Sequence, residues 1–162
     1  RDPLWSRGLG DVYKRQIITS IKGVARQNAT CMLVYTNNFK KFGYDPRKIA
    51  CYYGVAPFGK QSGTSVNTPA HTSHFANKLI KSLLGQAAHI AKIYNPEIRD
   101  YYQRLINKGK KPQVALNNVK NKLIRIIVAL VRKKVPYDQN TYKYYEEREV
   151  MKEKKNEKLI YC

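Results

Sequence analysis

"PQVALNNVKNKLIRIIVALVRKK", residues 112–134, is the stretch that sets the fold class. Val114, Val119, Leu123, Ile126, Ile127, Leu130 and Val131 recur at helical spacing, and Pro112 suits a first helical turn, where an N–H has no intrahelical partner. The segment is apolar enough to be the central core helix. Its basic residues Lys120, Lys122, Arg125, Arg132, Lys133 and Lys134 then need a side that faces either solvent or phosphate.

Working upstream, "PEIRDYYQRLINKG" (96–109) predicts a helix with Ile98, Tyr102, Leu105 and Ile106 on one side. Pro96 and the acids stand in its first turn, and Lys108 with Gly109 at its end. Before it, "HFANKLIKSLLGQAAHIAKIY" (74–94) predicts a helix capped by Ser73, with an apolar stripe of Phe75, Leu79, Leu83, Ala87 and Ile90. Lys78, Lys81 and Lys92 fall on its other faces. Asp45 and Pro46 open a short helix through Tyr53. "IITSIKGVARQNATCMLVYTNNF" (17–39) reads as two helices about Gly23, the second apolar at Ala29, Met32, Leu33 and Tyr35. A glycine between two helices is more often just a C-cap, although such a turn can also present backbone amides to a phosphate, as helix-hairpin-helix units do. No strand longer than a few residues, no repeat and no low-complexity tract is found. The expected class is mainly α: a compact helical domain with a helix-hairpin-helix-like N-terminal segment and a Gly-rich loop.

Charge narrows the partners. Thirty-one Lys and Arg against eleven Asp and Glu give +20. Residues 17–137 hold twenty-one of the basic residues and only Asp45, Glu97 and Asp100 as acids. Such self-repulsion in a folded domain points to a polyanion, with DNA or RNA ahead of an acidic membrane surface. No run approaches the roughly 18 apolar residues that span a bilayer, so no membrane is expected and a cytoplasmic location is. Cys31, Cys51 and Cys162, odd in number and irregularly spaced, read as ordinary thiols.

The ends differ from the middle. "RDPLWSRGLGDVYKRQ" (1–16) has no apolar period, and its "DVYKRQ" is a translation of the mosaic-end adapter of sequencing libraries. It reads as an artefact to be set aside, which lowers the net charge only to +18. On that reading the natural frame was interrupted near Ile17 and continues upstream. Residues 17–138 form the domain, and 139–162 a charged helical or disordered tail.

Between the short helix and the 74–94 helix lies "YYGVAPFGKQSGTSVN" (52–67), which Gly54, Pro57, Gly59 and Gly63 would make a tight loop able to approach a ligand closely. Ser62 follows Lys60 by two residues. A serine becomes a nucleophile when a neighbour takes its proton or cations stabilise the attacked phosphate, and Lys60, Lys78 and His74 are the nearby suppliers of charge. Spacing alone leaves Ser62 a turn residue or a nucleophile. Scattered acids and His71, His74 and His89 offer no metal set. "GKQSG" is too short for a Walker motif.

Taken in order, "IACYYGVAPFGKQSGTS", "SHFANKLIKSLLGQAAHIA", "NPEIRDYYQRLINKGK" and "NNVKNKLIRIIVALVRKK" with a following "YDQ" resemble the C-terminal transposase domain of the one-ten group of insertion sequences, bridge-RNA-guided bacterial recombinases. The likeness covers about residues 17–138. "IKGV" fits the family's "PGIG" segment with Lys22 where proline is usual, and "VNTPAHT" stands where relatives commonly carry Arg or Lys. The resemblance implies that Ser62 is the nucleophile joined covalently to a DNA phosphate, with Gly63 allowing close backbone approach. It implies Asn77 and Lys78 as DNA or active-site contacts. With the basic residues of the loop and long helix, the expected nucleic-acid-binding set is Lys60, Gly63, Asn77, Lys78, Lys120 and Arg125. It further implies an N-terminal DEDD domain, absent here, that holds Mg²⁺, a guide RNA, and a homo-oligomer when intact. The fragment alone is expected to bind nucleic acid without recombining it. The alternative is a non-catalytic helical nucleic-acid-binding module.

Overall fold

The computed structural model describes residues 4–62, 66–72 and 76–138. Their elements are α1 (Leu4–Thr19), α2 (Arg26–Tyr35), a 3₁₀ turn (Lys40–Phe42), α3 (Pro46–Tyr52), β1 (Pro57–Ser62), β2 (Val66–Thr72), α4 (Lys78–Tyr94), α5 (Pro96–Asn107) and α6 (Pro112–Lys133). The chain is mainly α, as its periodicity predicts. α6 is the central helix: it packs against α1, α3, α4 and α5. Ala115, Val119, Leu123, Ile124, Ile127, Val128 and Val131 are its buried residues. Because neighbours press on several sides, this stripe is wider than a single apolar row, and Val114, expected inside, is half exposed.

Local signals place the helix ends. Asp45 Oδ1 accepts from Arg47 N at 2.8 Å and Pro46 follows as the first helical residue of α3. α5 closes at Gly109 (φ +77), where Gly109 N donates to the Ile106 carbonyl and Lys110 N to that of Leu105, satisfying the last-turn carbonyls.

α4 departs from expectation twice. Its N-cap is Asn77, whose Oδ1 accepts from Leu79 N (3.1 Å) and Ile80 N (3.4 Å); Ser73, the expected cap, lies outside the described residues, as does Phe75. Its buried face carries Ile80, Leu83, Leu84, Ala87, Ala88 and Ala91, while Leu79 and Ile90 of the expected stripe are about half exposed. The alanines let other elements approach closely. At Gly23 (φ +105), in the turn between α1 and α2, an added Cβ would stand 2.5 Å from the Ala91 backbone nitrogen. Close packing therefore requires this glycine, beyond the backbone freedom its positive φ demands.

The larger correction concerns the expected loop at 52–67. Residues 57–62 and 66–72 are antiparallel strands, with Pro57 opposite Thr72 and Ser62 opposite Val66. The register shifts between Phe58 and Lys60, across from Pro69, which has no N–H to give to a ladder. Gly59, Gly63 and Pro69 conceal the strands from a pattern reading, and no apolar alternation offsets them.

At the N-terminus, α1 is continuous from Leu4 to Thr19; among its residues whose burial is described, 10–19, only Ile17 and Ile18 are in the core. The expected tail at 139–162 lies outside the described residues.

Candidate nucleic-acid interface at the hairpin root

The hairpin starts from a fixed point. α3 ends with Gly54 at φ +61, Gly54 N donating to the Cys51 carbonyl (3.0 Å) and Val55 N to that of Ala50 (2.9 Å). These paired bonds turn the chain sharply and leave the carbonyl of buried Val55 without a helical donor. Two side chains of α6 meet it: Asn117 Nδ2 at 2.8 Å and Asn121 Nδ2 at 3.1 Å. An unsatisfied buried carbonyl costs about 1–3 kcal/mol, so this clamp holds the root of β1 against the core helix. Sequence reading missed it; the signal was a pair of amides one turn apart on the helix, at Asn117 and Asn121.

Of the expected site residues, Ser62 is the last residue of β1 and Lys60 pairs with Thr68 within the same ribbon. Gly63 and His74 lie outside the described residues. Asn77 caps α4, so its Oδ1 is engaged by backbone, and Lys78 is the exposed first residue of that helix. Arg125 is exposed on α6, about 140° around the axis from Lys120. The two do not share a face.

Lys120 is placed differently from an ordinary surface lysine. It is partly buried and lies across α4, its Nζ 3.5 Å from the position a Cβ on Gly85 would take. One turn before Gly85 stands Lys81, whose Nζ donates to Thr72 Oγ1 at 3.4 Å, at the foot of β2. Burial, and then the neighbouring Lys81 charge, hold the Lys120 ammonium below the usual lysine pKa.

The opposite treatment of charge occurs nearby on α6. Lys122 Nζ pairs with Glu97 Oε1 at 3.1 Å and sits 4.6 Å from the Tyr101 ring centre. Glu97, only 7% exposed, also accepts from the Tyr137 hydroxyl through Oε2. Asn95 Nδ2 donates to that hydroxyl at 3.2 Å, and Tyr137 N donates to Ser20 Oγ at 2.7 Å. Burial and the bond to Glu97 push the Tyr137 hydroxyl above the usual tyrosine range. This cluster ties the segment after α6 to α1 and α5. Lys122, expected on a solvated or phosphate-facing side, is thus drawn inward by an acid that sequence reading took for a helix-start signal.

Among the described residues no group of three or more His, Cys, Asp or Glu could hold a metal ion, and no helix is long and apolar enough to cross a membrane. Residues 15–103 match the family described as Transposase IS116/IS110/IS902 family. The chain is 24% identical over 131 residues to the pilin gene-inverting protein of Moraxella lacunata, covering 80% of this chain and 40% of that protein. The pilin gene-inverting protein of Moraxella bovis gives the same figures. It is 29% identical over 116 residues to the insertion element IS110 uncharacterized 43.6 kDa protein of Streptomyces coelicolor, covering 72% of this chain and 28% of that one. The chain therefore spans well under half the length of these curated relatives.

Proposed function

Because the chain belongs to the IS116/IS110/IS902 transposase family, we propose that it is the C-terminal part of a DNA recombinase in which Ser62 is the nucleophile. Ser62 Oγ attacks a backbone phosphorus; the Oγ–P bond forms, the bond to one nucleoside oxygen breaks, the serine proton leaves and the departing oxygen takes up a proton. Reversal with a different nucleoside oxygen rejoins the strand. What supports this reading is the family match, with Ser62 the last residue of β1 in a strand whose root the Asn117 and Asn121 clamp on Val55 holds.

Mg²⁺ in the intact protein would be held by the carboxylates of the proposed upstream DEDD domain, and no step is routed through it. Residues 1–16 stay outside the proposed domain; among the residues whose burial is described, the first to enter the core is Ile17. A guide RNA, a homo-oligomer and a cytoplasmic site of action complete the proposal.

The test is to trap a protein–DNA phosphoserine adduct in the intact protein with its upstream frame restored. Ser62→Ala is expected to abolish the adduct while leaving DNA binding in place. An undiminished adduct in the variant assigns the nucleophile elsewhere. Binding without any adduct in either protein favours the non-catalytic helical module.

A further inference from the structure

We propose that Lys81 and Lys120, with the Thr72 hydroxyl beside them, form a binding site for a backbone phosphate of duplex DNA at the root of the hairpin. The proposal rests on the DNA-recombinase reading and names a contact within it.

Three elements converge there. Lys81 reaches from the first turns of α4 to Thr72 at the end of β2, and Lys120 crosses from α6 to lie over Gly85, one turn further along the same side of α4. Residues four apart on a helix have Cβ atoms about 5–6 Å apart, so Lys81 springs from the same side of α4 that the Lys120 ammonium overlies, near enough for its charge to act on Lys120. Gly85 makes room for this. The Lys120 ammonium lies 3.5 Å from where even a methyl would stand, so a longer side chain would occupy its place.

The charges on this strip are all of one sign. The described acids are Asp11, Asp45, Glu97, Asp100 and Asp138, and none forms an ion pair with Lys81 or Lys120. Glu97, on the neighbouring α5, is committed to Lys122 and Tyr137. The first turn of α4 carries no acid either, so Lys78 and Lys81 stand at the positive end of its dipole. Burying part of an ammonium beside another one is unfavourable unless an anion joins them, and the depressed Lys120 pKa reflects that cost. A phosphodiester suits the geometry: its two non-bridging oxygens can accept from two ammonium groups brought in from different helices, and the Thr72 hydroxyl adds a neutral donor.

The site stands at the far end of β1 from Ser62, about 17 Å along five residues of strand. It therefore grips a phosphate other than the reacting one, and Lys81 and Lys120 act as positioning residues. Had their charges served only solubility, nothing would favour drawing one of them into partial burial beside the other.

The test uses all 162 residues of the sequence, a fluorescent DNA duplex and anisotropy titrations across a salt series. Lys81→Gln and Lys120→Met are each expected to make the slope of log K against log [salt] shallower by about 1. Lys120→Met is also expected to melt at a higher temperature than the parent, since the alkyl packing stays and the unpaired charge goes. Lys110→Gln, on the exposed turn before α6, is expected to leave the slope near that of the parent. Unchanged slopes in Lys81→Gln and Lys120→Met, with the parent binding normally, overturn this site alone. An equal change in Lys110→Gln also overturns it, reducing the effect to net charge. A parent chain that binds no duplex overturns both this site and the reading beneath it.

Discussion

Lys120 and Lys122 are two residues apart on α6, and the fold treats their charges in opposite ways. Lys122 is turned toward Glu97 and Tyr101 and sealed by Tyr137, so its charge is neutralised inside the molecule. Lys120 is turned toward Lys81 and Gly85 and meets no described acid. Two positions along a helix are about 200° of rotation, enough to deliver one lysine to each side of a core helix. The difference teaches that a run of basic residues is not one surface. One charge here serves the integrity of the fold, and the other meets no described acid.

Making the two faces alike gives the largest expected effect. Glu97→Gln removes the carboxylate that Lys122 pairs with at 3.1 Å and should destabilise the chain by about 3 kcal/mol in urea unfolding, since breaking a buried ion pair costs its Coulomb energy after both groups have been desolvated. Lys122→Met together with Glu97→Gln should recover much of that loss. If the double variant is no better than Glu97→Gln, the pair is not what the sealed face depends on.

Next comes the clamp that brings α6 to the hairpin. Asn117→Ala with Asn121→Ala strips the Val55 carbonyl of both donors and should cost about 2 kcal/mol. Hydrogen exchange in β1 should quicken more than in α5; a uniform change would mean that the asparagines support the whole core rather than the strand root.

Tyr137→Phe sharpens the sealed side, at an expected cost of about 1–2 kcal/mol for a lost bond to a carboxylate. Its pH dependence has a definite sign. The folded hydroxyl titrates above its unfolded value near 10, so the unfolded chain loses its proton first, and stability falls as pH rises through and beyond 10. Tyr53, raised mainly by burial, acts in the same direction, so Tyr137→Phe should reduce that alkaline loss without removing it.

The smallest effect is on the open side and runs the other way. Lys120 is held below its unfolded pKa, so the unfolded chain binds the proton more readily, and its destabilising contribution is relieved as pH rises from the lowered value toward 10.5. Relative to Lys120→Met, the parent should gain a little stability across that window. A loss there would mean that the Lys120 charge is compensated after all.

The legible parts of the chain are those whose causes are local. Asp45 and Pro46, Pro96, Gly109 and Pro112 mark helix ends that the structure keeps, because capping and φ restriction act within a few residues. Less was legible where distant segments compete. Asn77, not Ser73, caps α4, and the buried face of that helix is rotated away from Leu79 and Ile90, because α2, α5 and α6 together choose which side is covered. The ribbon has the sequence of a loop, since Gly59, Gly63 and Pro69 lower strand propensity and a two-stranded ribbon owes its order to pairing and to its anchor. Within the candidate site, sequence pointed to Ser62 through ordered motifs and to Lys120 through charge. Lys81, Thr72 and the asparagine clamp became visible only in three dimensions.

By itself, then, the sequence determined a mainly helical domain around one long apolar helix, strongly basic, with helix ends set by proline, glycine and short polar side chains. Those features depend on periodicity and on bonds between near neighbours. Only the tertiary structure decided that the glycine-rich stretch is a ribbon held at Val55, that Glu97 silences Lys122, and that Lys120 and Lys81 share a strip of α4 with no acid between them. The physical reason is separation along the chain: Val55 and Asn121 are 66 residues apart, and Tyr137 and Glu97 40 apart. Which buried polar group meets which partner is settled by how the helices pack, and no local pattern carries that information.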